Sequence, residues 1–260
     1  MPGARKLSAT TRLFDSHLHI IDPRFPLVRN HGYLPEPFGC DEYLRRMADY
    51  RLCGGAVVSG SFHAFDQGYL LAALKTLGPG FVGVTQLPPT ASDAQIVRLH
   101  AAGVRALRFN LYRGGPASLE YLAYMAHRVY ALVGWHVELY VDAAELAQLS
   151  ATLVRLPALS IDHLGLRQAG FADLLRLAER GVKVKASGFG RLDFDAPQAI
   201  VALYQANPDC LMFGTDLPST RAPLPFQDRH IDLVSAALGP AAAARVFSEN
   251  AIAFYKPALS

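Results

Sequence analysis

Eight short apolar, β-rich runs recur along this chain of 260 residues, near Leu13–His19, Gly54–Ser59, Phe81–Gln86, Val104–Asn110, His136–Tyr140, Leu159–His163, Val182–Ser187 and Leu211–Asp216. Their mean spacing of roughly 28 residues is what one strand–helix unit consumes, and eight such units close a parallel barrel near ~250 residues. Helix-period stretches fill the gaps, at Asp41–Arg51, Gln67–Leu77, Ala91–Ala102, Leu119–Val133, Ala143–Leu153, Phe171–Arg180, Ala196–Asn207 and Gln227–Leu238, and Ala241–Tyr255 closes the chain. Gly103, Gly134, Gly181 and Gly239 fall where helices should end in a left-handed residue. Strands that are apolar on both faces imply a parallel sheet. No Gly-x-Gly-x-x-Gly follows the first strand and no Walker-type loop occurs, which argues against an open nucleotide-binding sheet. The expectation is α/β: a single (β/α)8 TIM barrel over residues 13–260, behind a loose polar tail at residues 1–12.

Composition narrows the functional classes. With 51% hydrophobic and 18% charged residues the chain can bury a large core. A net charge of +3 without a dense Lys/Arg run gives no footprint for nucleic acid. No apolar run is long enough to span a membrane, and the first twelve residues have no apolar signal-peptide core. Cys40, Cys53 and Cys210 are odd in number and far apart, which fits a reducing, cytoplasmic setting. The partners expected are small molecules only, for a monomer or small homo-oligomer.

In a barrel, polar residues on the strands should share the inward parity. The first run, Phe14-Asp15-Ser16-His17-Leu18-His19-Ile20, then points Asp15, His17 and His19 to one side. Two imidazoles on one face suit a metal or a polarised carbonyl oxygen. The same parity turns Arg108, Asn110, His136, Glu138, Tyr140, His163, Lys183, Lys185, Ser187 and Asp216 inward. His17, His19, Asn110, Tyr140, His163, Ser187 and Asp216 come late in their strands and should converge on the mouth, where such barrels build their sites. His136 and Lys183 come early and belong to the bottom face. Glu138 and Lys185 should pair at mid-height, because a buried charge needs a partner. Asp162 is expected to face the helices, Asp15 to sit inward below the histidines, and His63 to lie in a surface loop.

His17/His19, Ile161-Asp162-His163-Leu164-Gly165 and Gly214-Thr215-Asp216-Leu217-Pro218, in this order, resemble the amidohydrolase-related branch of the amidohydrolase superfamily. Within it the likeness is greatest to 2-pyrone-4,6-dicarboxylate lactonase-like hydrolases. It extends over Tyr33-Leu34-Pro35, Val58-Ser59-Gly60-Ser61, Gly103–Leu111, Gly134–Leu139, Lys183–Gly188 with Arg191, and Glu249-Asn250-Ala251. The resemblance implies a barrel that opens lactones with water. It implies Asp216 as general base, His17, His19 and His163 on the lactone carbonyl, and Arg108 on a substrate carboxylate. Tyr33 and Ser59 match pocket positions of the family. Asn110, Arg113, Tyr140, Ser187, Arg191 and Arg221 complete the candidate binding set.

Three departures stand out. Tyr140 replaces a histidine at the end of strand five. Leu217-Pro218-Ser219 replaces Trp-Pro-His after the strand-eight aspartate. Gly165-Leu166 replaces Gly-Arg, with Arg167 one place late. A bidentate arginine–carboxylate contact is geometrically strict, so a different or less charged lactone than the dianionic pyrone is expected. No cofactor is required on this reading. The alternative is one divalent ion, zinc, on His17, His19 and Asp216, which would make the chain a metal-dependent hydrolase or decarboxylase. A barrel that only binds small anions is the non-enzymatic alternative.

Overall fold

A computed structural model describes residues 11–112 and 119–258. Eight parallel strands run in chain order: β1 (Arg12–Leu18), β2 (Arg51–Val58), β3 (Phe81–Thr85), β4 (Val104–Asn110), β5 (His136–Tyr140), β6 (Leu159–Ile161), β7 (Lys183–Ala186) and β8 (Leu211–Phe213). Helices α1 (Cys40–Arg46), α2 (Gly68–Leu77), α3 (Asp93–Ala101), α4 (Leu119–Val133), α5 (Leu146–Leu153), α6 (Phe171–Glu179), α7 (Ala196–Ala206) and α8 (Arg229–Leu238) follow the strands in turn. The chain goes on through α9 (Pro240–Ala244), a π-helical turn at Arg245–Glu249 and α10 (Asn250–Tyr255). The ring is nearly closed. Asp216 N donates to His17 O and His19 N to Leu217 O, each at 2.7 Å, joining the end of β1 to the segment after β8. Gly103, Gly134, Gly181 and Gly239 all adopt positive φ at helix ends, as their spacing implied.

Alternation along the strands makes two cores. Leu13, Val57, Leu107, Val137, Ile161 and Val184 pack outward against the helices. Phe14, Ala56, Val58, Val82, Val84, Ala106 and Met212 fill the barrel with Tyr255 of α10, whose ring stacks on Phe14 at 5.6 Å. The strict parity expected for β1 therefore fails at its start. Phe14 is inside, and Asp15 faces the opposite way, where Tyr43 of α1 and Thr215 donate to it. The cause is irregular pairing: the β1–β2 register shifts between Leu13 and Phe14 and again between Asp15 and Leu18. Within the second irregular stretch His17 points inward.

Asp162 also departs from its expected side. Ser160 is opposite Glu138, both buried in the barrel. Two residues on, Asp162 keeps that inward parity. His163 reaches the interior as well because its backbone is left-handed, φ 53°, just past the strand. His63, expected at the surface, is buried and stacked on Tyr69 at 3.6 Å. Its loop folds in over α2, which no strand or helix period encodes. Among the described residues, no helix is long and apolar enough to cross a membrane.

Candidate active site

Asp216, His17, His19 and His163 meet at the C-terminal ends of the strands, and all four are buried. His17 lies in β1; His19, His163 and Asp216 lie just beyond their strands. Nε2 of His19, His17 and His163 are 3.6, 3.8 and 3.9 Å from one atom, Asp216 Oδ1. The other carboxylate oxygen is committed: Arg191 donates to Oδ2 through Nε at 2.8 Å and Nη2 at 2.7 Å. Burial alone would raise the Asp216 carboxyl. Arg191, His163, His19 and His17 together outweigh it and hold Asp216 well below the usual carboxylate range.

Each imidazole is fixed from behind. His19 Nδ1 meets Val58 O at 2.7 Å, and a carbonyl only accepts, so this nitrogen carries the hydrogen. His163 Nδ1 meets the Ser187 hydroxyl at 2.9 Å. His17 Nδ1 lies 3.2 Å from Lys185 Nζ and 3.3 Å from Asp162 Oδ1. Burial pushes His17 down to about 3 and His163 well below its ordinary value, so both rings are neutral at pH 7. Two glycines make room for them. A Cβ on Gly188 would sit 2.6 Å from His163 Nδ1, and one on Gly214 would sit 2.8 Å from His17 Cβ.

Below this layer the charges are paired. Lys185 donates to Glu138, so the mid-height pair expected from parity is present. Glu138 also accepts from Tyr255 Oη and lies 3.2 Å from His136 Nε2. Burial raises Glu138, but Lys185 and His136 bring it below its ordinary value. Asp162 accepts from Arg108 Nε at 3.2 Å and Nη2 at 2.9 Å. It is likewise driven well down, Lys185, His17 and Arg108 outweighing the effect of burial. Sequence reasoning missed Asp162 as a member of this cluster. Extending the parity of Ser160 by one step would have found it.

The cleft above is lined by His19, His163, Asp216, Arg108, Arg191 and Arg221, with Asn110, Tyr140, Phe62 and Thr220 among the other walls. The Arg108 guanidinium lies 5.4 Å from the Tyr140 ring. Arg221 is held by Asn30 and lies 4.3 Å from the Tyr33 ring, which puts Tyr33 at the rim. Ser59 does not join the lining: its hydroxyl bonds Tyr69 at 2.7 Å, and its carbonyl accepts from Arg108. Arg113 lies outside the described residues. Arg167 is 40% exposed, in contact with Asp142, Asp193 and Tyr112, and is not a wall of the cleft.

The amidohydrolase family model matches residues 14–256. The chain belongs to this family, and it is a hydrolase of the amidohydrolase superfamily. It is 28% identical over 236 residues to the 2-pyrone-4,6-dicarboxylate hydrolase of Comamonas testosteroni, covering 78% of this chain and 76% of that one. It is 26% identical over 194 residues to the D-galactarolactone isomerase of Agrobacterium fabrum, covering 68% and 66% of the two chains. A Pseudomonas putida structure provisionally assigned as a 2-pyrone-4,6-dicarboxylic acid hydrolase superposes with a TM-score of 0.80 at 26% identity, over 96% of this chain and 99% of that one.

Proposed function

We propose that the protein opens the ester ring of a small carboxylated lactone with water, and closes it in reverse, with Asp216 as the base. The split carboxylate carries this reading: Arg191 holds Oδ2 while Oδ1 faces three imidazoles at 3.6–3.9 Å. A water seated there loses a proton to Oδ1 as its oxygen bonds to the lactone carbonyl carbon. The carbonyl oxygen becomes an oxyanion, stabilised by nearby donors already in position. When the ring C–O bond breaks, the leaving oxygen takes the proton back from Asp216. The ionised state of Asp216 suits the hydrolytic direction. A substrate carboxylate that shares Arg191 would raise the basicity of Asp216 when the ring is in place.

Arg108, Arg191 and Arg221 on one cleft support an anionic substrate. Arg108 and Arg191 already face carboxylates, and Arg167 stays outside, which supports a substrate with fewer carboxylates than a pyrone dicarboxylate. The two relatives described above are each named for a lactone. The donor set does not suit a divalent ion as it stands. His17 Nε2, His19 Nε2 and Asp216 Oδ1 lie within 4.8 Å of one another. His19 and Asp216 offer lone pairs. His17 does not fit as it stands, because the Lys185 ammonium faces its Nδ1.

Screening mono- and dicarboxylated lactones tests the substrate class, and monocarboxylates should turn over better. Asp216→Asn should lower turnover on the order of 10³-fold with ligand binding kept. Unchanged turnover in this variant would refute the assignment of the base.

A further inference from the structure

The mechanism above uses His17 and His19 alike, but their surroundings are not alike. We propose that Lys185 is a positioning residue that fixes His17 in the tautomer with hydrogen on Nε2, while Val58 fixes His19 in the opposite one. An ammonium has three N–H donors and no acceptor. Three acceptors surround Lys185 Nζ: Glu138, His17 Nδ1 at 3.2 Å and Asp162 Oδ1 at 3.3 Å. Lys185 donates to Glu138 and to His17 Nδ1, with Asp162 Oδ1 as an ion-pair partner that takes no hydrogen bond, and the bond to His17 needs a lone pair on Nδ1. With hydrogen on Nδ1, an N–H would point at the ammonium and one Lys185 donor would be buried unmade, a costly arrangement.

Asp162 Oδ1 is the competing partner for Nδ1, at 3.3 Å. It is already within reach of Lys185, and Arg108 saturates its other oxygen. Asp162 thus acts as a counter-ion to Lys185 and Arg108 and leaves the tautomer to Lys185. Glu138 holds the lysine from below and is itself locked by Tyr255 and His136. His17 consequently offers a donor at Nε2 on the side of Asp216 Oδ1, 3.8 Å away, just beneath the cleft. His19, with hydrogen on Nδ1 against Val58 O at 2.7 Å, offers a lone pair. The two histidines of one strand divide the work: His17 donates to a developing oxyanion and His19 accepts from the attacking water or its proton.

This rests on reading the mouth as a carbonyl-binding site, but it is measured without substrate. Long-range ¹H–¹⁵N correlation on histidine-labelled protein, assigned with His17→Gln and His19→Gln, reports each tautomer. The expected result is hydrogen on Nε2 of His17 and on Nδ1 of His19. Hydrogen on Nδ1 of His17 overturns the proposal whether or not any lactone is turned over. Opposite tautomers without lactone turnover would sink only the lactonase reading. The charge-neutral double variant Glu138→Gln/Lys185→Met sharpens the test. With the His19 signal unchanged as a sign of an intact mouth, His17 should switch to Nδ1–H toward Asp162. Zinc should then bind on the order of tenfold or more tighter, because Nε2 becomes a lone pair backed by a carboxylate. A folded double variant that keeps Nε2–H on His17 and unchanged zinc affinity overturns it. If that variant does not fold, the wild-type spectrum decides.

Discussion

The inside of this barrel has two unlike halves. On the β1–β3 side Phe14, Ala56, Val58, Val82 and Val84 make an apolar filling, completed by Ala106 and Met212. Across from it Arg108, Glu138, Asp162 and Lys185, on β4 to β7 or just past them, make a buried ionic lattice. The apolar half needs only volume. The ionic half needs its partners, because its charges are buried and face one another. It stands under His17 and so presets the site from below, whereas the apolar half holds the strands at their spacing. The two halves should respond differently to the same kind of truncation.

The largest difference should appear at Lys185. Lys185→Met leaves Glu138 and Asp162 short of a cation and should cost about 3–5 kcal/mol of unfolding free energy. Adding Glu138→Gln should recover a large part of it, a non-additivity read by denaturant titration of the four proteins in the cycle. Strict additivity would mean that the lattice is not a unit.

Acid should act next. In the folded protein His17 is lowered to about 3, against an ordinary 6.5. Between those two values the unfolded chain binds the extra proton, so stability falls as pH drops below 6.5 and the loss from this ring levels off near 3. For His17 alone the loss by about pH 4.5 is about 3 kcal/mol. His17→Gln should flatten the slope of stability against pH in that window, and an unchanged slope would contradict the assignment.

In the apolar half, Val58→Ala should cost about 2 kcal/mol, from lost burial and a small cavity. Combined with a substitution in the ionic lattice that it does not touch, its effect should simply add. The smallest effect is expected at Ser59→Ala, about 1 kcal/mol, since the buried Tyr69 hydroxyl loses one partner and the cleft is not reached. A large loss of lactone turnover in this variant would show that Ser59 has a role at the cleft after all.

Much of this was legible in the sequence. Eight apolar runs mark the strands, and the period-two pattern on β5 and β7 is enough to bring Glu138 and Lys185 together. His17, His19, His163 and Asp216 were located by arriving late in their runs. Asp15 and Asp162 were misplaced for one physical reason. Parity counting assumes an unbroken pleat, whereas the β1–β2 register slips twice and His163 adopts a left-handed backbone just past β6. His63 was misplaced for another reason: how a loop folds back over α2 depends on tertiary packing, which leaves no periodic trace. Ser59 sits next to the cleft, but its side chain turns to Tyr69, a choice of direction that a motif match cannot give.

The most direct test of the account is lactone opening in ¹⁸O-water, followed by mass spectrometry of the product. The wild-type protein should place one ¹⁸O in the new carboxylate of a monocarboxylated lactone, and Asp216→Asn should place essentially none in the same time. A rearranged lactone without label, or equal labelling by the Asp216→Asn variant, would contradict water attack with Asp216 as its base.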